Sequence, residues 1–186
     1  MDIVNANAST IIRDNQFRAL VVLSGPTEGP VCGVYLDNAS VRVEWNSFAQ
    51  ADLAIYCIHN ANASISNDTI ANGGDGIYCL GASPIIRDNT ITGNIGSGIW
   101  LETNSNANVV HNNVTGNLEY GIYVFDSNVL IDHSIFNNSG KDGIFINNAV
   151  AVLTYNYAWY NAQWDLHLMG TCTVTDIGNS IGTRYP

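Results

Sequence analysis

The sequence predicts an all-β fold, with a single chain wound into a parallel solenoid of about eight rungs. Three observations carry this. A four-residue piece (small, apolar, aromatic, apolar) recurs at steps of 21 to 23 residues. A second piece, Asn-x-apolar, recurs independently with nearly the same period. The usual helix formers are also scarce: there is one Lys (Lys141), there are four Glu, and no window has helical periodicity.

The first piece reads Gly33-Val34-Tyr35-Leu36, Ala54-Ile55-Tyr56-Cys57, Gly76-Ile77-Tyr78-Cys79, Gly98-Ile99-Trp100-Leu101, Gly121-Ile122-Tyr123-Val124, Gly143-Ile144-Phe145-Ile146 and Asp165-Leu166-His167-Leu168. Its apolar residues lie two apart, the spacing of a strand with one buried face. The second piece ends at Phe17, Phe48, Ile70, Ile91, Val114, Ile135, Ala158 and Ile181. Three short strands and three turns fit a unit of about 22 residues, and eight such rungs at about 4.8 Å make a rod of roughly 38 Å. Leucine-rich repeats have a similar period, but eleven Leu against twenty Ile and the lack of a helical segment speak against them. The calcium-binding glycine-rich nonapeptide has only the echo Gly73-Gly74-x-Gly76.

Taken in order, residues 1–8 are too short for a rung, and the first rung supplies Ile12 and the corner ending at Phe17. The interval to Val34 exceeds the period, which predicts an extra loop at about residues 18–33, either a binding loop or a cap over the end. The repeat then runs unbroken from Gly33 to Leu168, and a last rung carries Val174, Asn179 and Ile181. Trp159, Tyr160 and Trp164 crowd the last complete rung and could cover it. Residues 1–186 therefore read as a single domain.

The Gly-Ile-Tyr-Leu and Asn-x-Ile pieces resemble the repeats of right-handed parallel β-helix proteins with the pectate-lyase-like fold, including NosD-type and carbohydrate-processing members. The resemblance spans residues 9–183. It implies a right-handed single-stranded β-helix and leaves activity open, because that fold hosts lyases, hydrolases, epimerases, adhesins and spacers.

A net charge of −10 argues against nucleic acid or an anionic membrane as partner, and no apolar run is long enough to span a bilayer. Met1-Asp2 leads straight into repeat-like sequence, whereas the Lys-poor, Asn-, Ser- and Thr-rich surface is that of a secreted or cell-surface protein. A leader or further domain is therefore expected upstream. Of the four Cys, Cys57 and Cys79 take the same inward position on successive rungs and read as small buried apolar residues, with a disulfide demanding unusual geometry. Cys32 and Cys172 lie on distant rungs. No Cys or His spacing points to a metal.

Stacking turns every repeat position into a stripe. Two residues before the second anchor run Asn15, Asn46, Asp68, Asn89, Asn112, His133, Asn156 and Asn179. The asparagines are expected to form a structural ladder of amide hydrogen bonds while tolerating a left-handed turn, with His133 as a substitute donor. A second stripe, with Tyr56, Tyr78, Trp100, Tyr123 and Phe145 between Tyr35 and His167, points outward. It could shield the sheet, bind the apolar faces of sugar rings, or form an oligomer or domain interface.

Acids flank the aromatic stripe: Asp52, Asp75, Glu119, Asp142 and Asp165 before it, and Asp37, Glu102 and Asp126 after it. Turn chemistry accounts for them, and they could also bind hydroxyls or calcium, although calcium needs six to eight converging oxygens. The arginines lie off this strand, so a lyase acting on an anionic pectin-like chain is disfavoured. A hydrolase would need two carboxylates about 5 to 9.5 Å apart, for which Glu102 with Asp126, or Glu119 with Asp142, are the candidates. The expected function is thus an extracellular module that binds a neutral polysaccharide along the aromatic stripe, needing no cofactor. The alternatives are a passive rod or adhesin, oligomeric or joined to a neighbouring domain, and a carbohydrate-active hydrolase.

Overall fold

The computed structural model describes residues 1–7, 9–18 and 31–185. Most of the extra loop expected at residues 18–33 lies outside the described residues. One rung shows the plan: strands at Asp75–Leu80, Ile85–Arg87 and Thr90–Thr92, joined by turns. Equivalent strands stack in parallel into three sheets of nine, eight and eight strands, and no described residue is helical. A column of the aromatic piece runs through the first sheet, pairing Tyr35 with Tyr56, then Tyr78, Trp100, Tyr123, Phe145 and His167.

The inward residues on either side of each aromatic form the core. Val34, Ile55, Ile77, Ile99, Ile122 and Ile144 are fully buried, as are Leu36, Cys57, Cys79, Leu101, Val124 and Ile146. Cys57 and Cys79 are register partners among these apolar residues, and both are free thiols. The small residue that opens the piece has a steric cause. A Cβ added to Gly121 would lie 2.5 Å from the Gly143 carbonyl oxygen one rung on, and one added to Gly76 would lie 2.4 Å from that of Gly98.

Each rung closes through left-handed corners. Between the second and third sheets the corner residues are Asp14, Trp45, Asn67, Asp88, His111, His133, Tyr155 and Gly178, all with φ between 45° and 65°. Each of the non-glycine members from Trp45 onward donates its N–H to a carbonyl of the next rung, as His111 does to Asp132 at 2.9 Å. The left-handed residue is therefore the one before the asparagine, and the asparagine itself is free to point inward.

This corner also corrects the register of one rung. Phe136 pairs with Val114 and Ala158 and is fully buried, whereas Ile135 is 38% exposed. The anchor of that rung is thus Phe136, and the residue on the asparagine stripe is Ser134. His133 sits at the exposed corner instead of standing in for an amide donor. The two adjacent apolar residues, Ile135 and Phe136, both fit an Asn-x-apolar pattern loosely, and burial of the larger side chain decides between them.

At the last rung Leu168, Cys172, Val174 and Ile181 are only partly buried. Trp164 packs on Tyr185 and Trp159 reaches Ser180, so both flank that rung without covering it.

Candidate functional site

The asparagine ladder occupies the interior of the second corner. Asn89 Nδ2 donates to Asn112 Oδ1 at 3.0 Å and to the Ile65 carbonyl at 3.1 Å, while Asn89 Oδ1 accepts from the Asp68 N–H at 2.9 Å. Asn15, Asn46, Asn156 and Asn179 repeat the pattern: Asn15 donates to Asn46 and Asn156 to Asn179. Asn46 donates to Asp68 Oδ1. The other oxygen of Asp68 is buried without a partner, and that desolvation lifts the carboxyl from its usual value to about 6.

A second internal ladder runs down the third corner, where the Asn94 amide donates to Asn117 at 2.9 Å and the Asn161 amide to the Phe136 carbonyl at 3.0 Å. Its sequence mark, a polar residue three places after the buried anchor, was available in Ile91/Asn94, Val114/Asn117, Phe136/Ser139 and Ala158/Asn161 but was hidden by the abundance of Asn.

The outer face of the first sheet carries the aromatic column as a run of rings in mutual contact. Tyr35, Tyr56 and Tyr78 meet edge to face at 5.5 and 5.2 Å. Beyond Tyr78 the rings turn parallel: Trp100 lies 4.2 Å from Tyr123, and Tyr123 stacks on Phe145 at 5.0 Å and 7°. Tyr120, from the preceding turn, leans on both Tyr123 and Phe145. Phe145 consequently retains 6% exposure and offers a ligand no ring face, while Tyr56, Tyr78, Trp100 and Tyr123 are partly buried.

One acid joins this column. Glu102 Oε2 accepts from the Trp100 indole N–H at 2.8 Å and from the Tyr78 hydroxyl at 2.9 Å. Its other oxygen accepts no hydrogen bond among the described residues and is not fully buried. Burial and the adjacent Glu102 both push the Tyr78 hydroxyl pKa upward.

The four candidate catalytic carboxylates stand in different settings. Glu102 pairs with Leu80 on one side and Phe125 on the other, while Asp126 sits exposed in the following left-handed turn. Glu119 binds Lys141 at 2.7 Å. Asp142 is buried, accepting the Trp164 N–H at 2.9 Å and contacting His167 Nδ1 at 2.9 Å. Glu102 and Asp126 are thus not register partners but lie one residue out of step on adjacent rungs. Asp52 and Asp75 likewise accept backbone N–H groups of adjacent rungs, from Val31 and Ser97. Among the described residues the acids of this face do not gather in threes around a point.

The structure brings Asp142 and His167 together from positions 25 residues apart, with the His167 ring held between Phe145 and Tyr185. The sequence places His167 in the aromatic column without showing this partner. The signal lay in Asp142 preceding one small-apolar-aromatic piece and His167 standing at the aromatic position of the next.

The family model for the right-handed β-helix region matches residues 3–181, essentially all of the solenoid. The chain belongs to that family. Comparison with curated proteins and with solved structures gives no match. Membership in the β-helix family accounts for the parallel rungs and leaves the role of the aromatic column to be argued from its own chemistry.

Proposed function

We propose that the chain is an extracellular β-helix module that binds a neutral polysaccharide along the outer face of its first sheet. The observation that carries this is the cluster of Tyr56, Tyr78, Trp100 and Glu102: partly exposed rings beside a carboxylate whose second oxygen, unpaired among the described residues, can accept a sugar hydroxyl. Trp100 and Tyr78 hold Glu102 in place before any ligand arrives, which reduces the ordering cost of binding. Rungs about 4.8 Å apart offer a line of sites to an extended chain rather than a pocket for one sugar. The net charge of −10 favours a neutral glycan over an anionic one. The Lys-poor, Asn-rich surface supports a secreted or cell-surface setting.

A second reading, a structural rod, is favoured by the stacking of Trp100, Tyr123 and Phe145, whose ring faces are turned toward one another. Binding of the wild-type chain to an array of neutral polysaccharides, repeated with Trp100→Ala and Tyr78→Phe, separates the two. Under the binding reading, Trp100→Ala abolishes binding, and Tyr78→Phe, which frees Glu102 from one of its two anchors, weakens it. A wild type that binds no glycan, together with a Trp100→Ala variant that only loses stability, establishes the rod instead.

A further inference from the structure

The left-handed corner between the second and third sheets carries a group that the aromatic face does not use. His111 and His133 occupy the same corner position on successive rungs, with φ of 54° and 45°. The backbone fixes their stacking, because the His111 N–H bonds the Asp132 carbonyl and the His133 N–H bonds the Thr154 carbonyl, each at 2.9 Å. Their rings lie 5.3 Å apart at 81°, nearly perpendicular. The Asp132 carboxylate stands beside them. One ligating atom from each of His111, Asp132 and His133 lies within 4.8 Å of the other two.

We propose that His111, Asp132 and His133 form a surface site for a divalent transition-metal ion of the zinc class. Two imidazoles and one carboxylate are a donor set for Zn²⁺, Ni²⁺ or Cu²⁺, and nitrogen donors disfavour Ca²⁺ and Mg²⁺. The carboxylate is already oriented: the Thr154 hydroxyl donates to Asp132 Oδ1, and His133 Nδ1 contacts the same oxygen at 2.9 Å. That leaves Oδ2 for an ion. Asp88, one rung before His111, adds negative charge with its Oδ1 3.6 Å from His111 Nδ1, and its Oδ2 is paired with Arg87 at 3.3 Å. The side chains of both histidines are more than half exposed. Their rings can therefore swing the final distance to bond lengths of about 2.0–2.1 Å without disturbing the core. Three protein donors leave at least one coordination position for water. On the next rung the Tyr155 ring rests 5.0 Å from His133 and bounds the site on that side.

Neither histidine is required by the corner for its backbone shape, since Asp, Asn, Trp, Tyr and Gly hold the same position on other rungs. Only at this one step do two imidazoles follow each other. The site stands on a different corner from the aromatic column and is independent of the glycan reading.

Isothermal titration of the metal-free full chain with ZnCl₂ tests the assignment. The expected result is one saturable equivalent, a lowering of affinity by tenfold or more in each of His111→Asn, His133→Asn and Asp132→Asn, and an unchanged isotherm in His59→Asn, which lies on another corner. Asparagine is the suitable replacement because it accepts a left-handed backbone. Melting curves without metal check that the variants fold, and added Zn²⁺ should raise the wild-type Tm but not that of the double variant His111→Asn/His133→Asn. The proposal is overturned if the wild type shows no saturable zinc binding, or if the double variant binds as the wild type does, which would place the ion elsewhere. Competition by millimolar Ca²⁺ at the same site would also overturn the assignment of class.

Discussion

Asp68→Asn should make the protein more stable at neutral pH. Asp68 is the one carboxylate on a ladder otherwise built of amides and a serine, and it is 1% exposed. Its Oδ1 already accepts from the Asn46 N–H at 2.7 Å and from the Asn46 amide at 2.9 Å. At the ladder's other amides the NH₂ group also donates to a carbonyl of the second sheet: Asn46 to Ile12, Asn89 to Ile65 and Asn112 to Ile86. Ile12, Val43 and Ile65 are successive register partners, so the carbonyl facing Asp68 is that of Val43. An ionised Asp68 has nothing to donate to it, and its Oδ2 is buried without a partner. Burial is the main reason its pKa rises to about 6 from 3.8, with the negative charge of Glu44 adding to it.

Because folding raises this pKa, the native state favours the protonated carboxyl. Stability associated with Asp68 is therefore fully present below about pH 4 and is lost as pH climbs through 6. A shift of about two units at 1.36 kcal/mol each costs roughly 3 kcal/mol above that range. Asparagine removes this cost and supplies the missing donor, so Tm at pH 7.5 should rise by about 6–12 °C at roughly 2–4 °C per kcal/mol for a chain of this size. At pH 4 the advantage should shrink toward the value of one hydrogen bond. Thermal melting of both proteins at pH 4.0 and 7.5 measures it. A variant no more stable than wild type at pH 7.5, or a gap of equal size at both pH values, would show that Asp68 is not held as an under-bonded carboxylate.

Asn89→Ala strips the side-chain partner from the Asp68 N–H and the Ile65 carbonyl, at about 1–3 kcal/mol for each group left unpaired; a variant that melts with wild type would refute the ladder's contribution. Phe136→Ala should cost about 3–5 kcal/mol as a core truncation, while Ile135→Ala next to it should stay within roughly 0.5 kcal/mol. The reverse order in urea titrations would reinstate Ile135 as the anchor. Trp100→Ala should remove glycan binding at a stability cost of about 0.5–1.5 kcal/mol per lost ring contact, judged from the aromatic-pair energies. A larger stability loss with binding intact would assign the residue to the sheet alone.

The period was legible because it is written twice. Two pieces that repeat independently fixed the strands of the first sheet to the residue, and every pairing from Tyr35 to His167 follows from the aligned pieces. The corner was less legible. Asn is frequent at left-handed corner positions, such as Asn67, and at buried ladder positions, such as Asn89. Composition therefore cannot tell the two apart, and a one-residue slip moved His133 from corner to ladder. Ring orientation was not legible at all. The same aromatic column runs edge to face near Tyr56 and face to face near Tyr123, a choice made by neighbours such as Tyr120 that lie outside the repeated piece. The partners of the acids have the same origin: Glu119 meets Lys141, and Asp142 meets His167, through turns whose register the two anchors do not control.

In a stacked fold the repeated residues supply stability along the whole rod, so information about ligands concentrates where a column changes chemistry. Asp68 interrupts a ladder of amides and becomes a pH-sensitive step. His111 and His133 interrupt a corner otherwise held by other residue types and gather three ligating side chains. Trp100 interrupts a run of tyrosines and, with Tyr78, fixes the orientation of Glu102. Each departure acts with the rung beside it, because parallel pairing places equivalent positions within reach of a single ion or hydrogen bond. If both proposals hold, the unit of function in this chain is the pair of adjacent rungs. Variants that break a column at one step should lose the local activity while the seven-step stack around them stays folded.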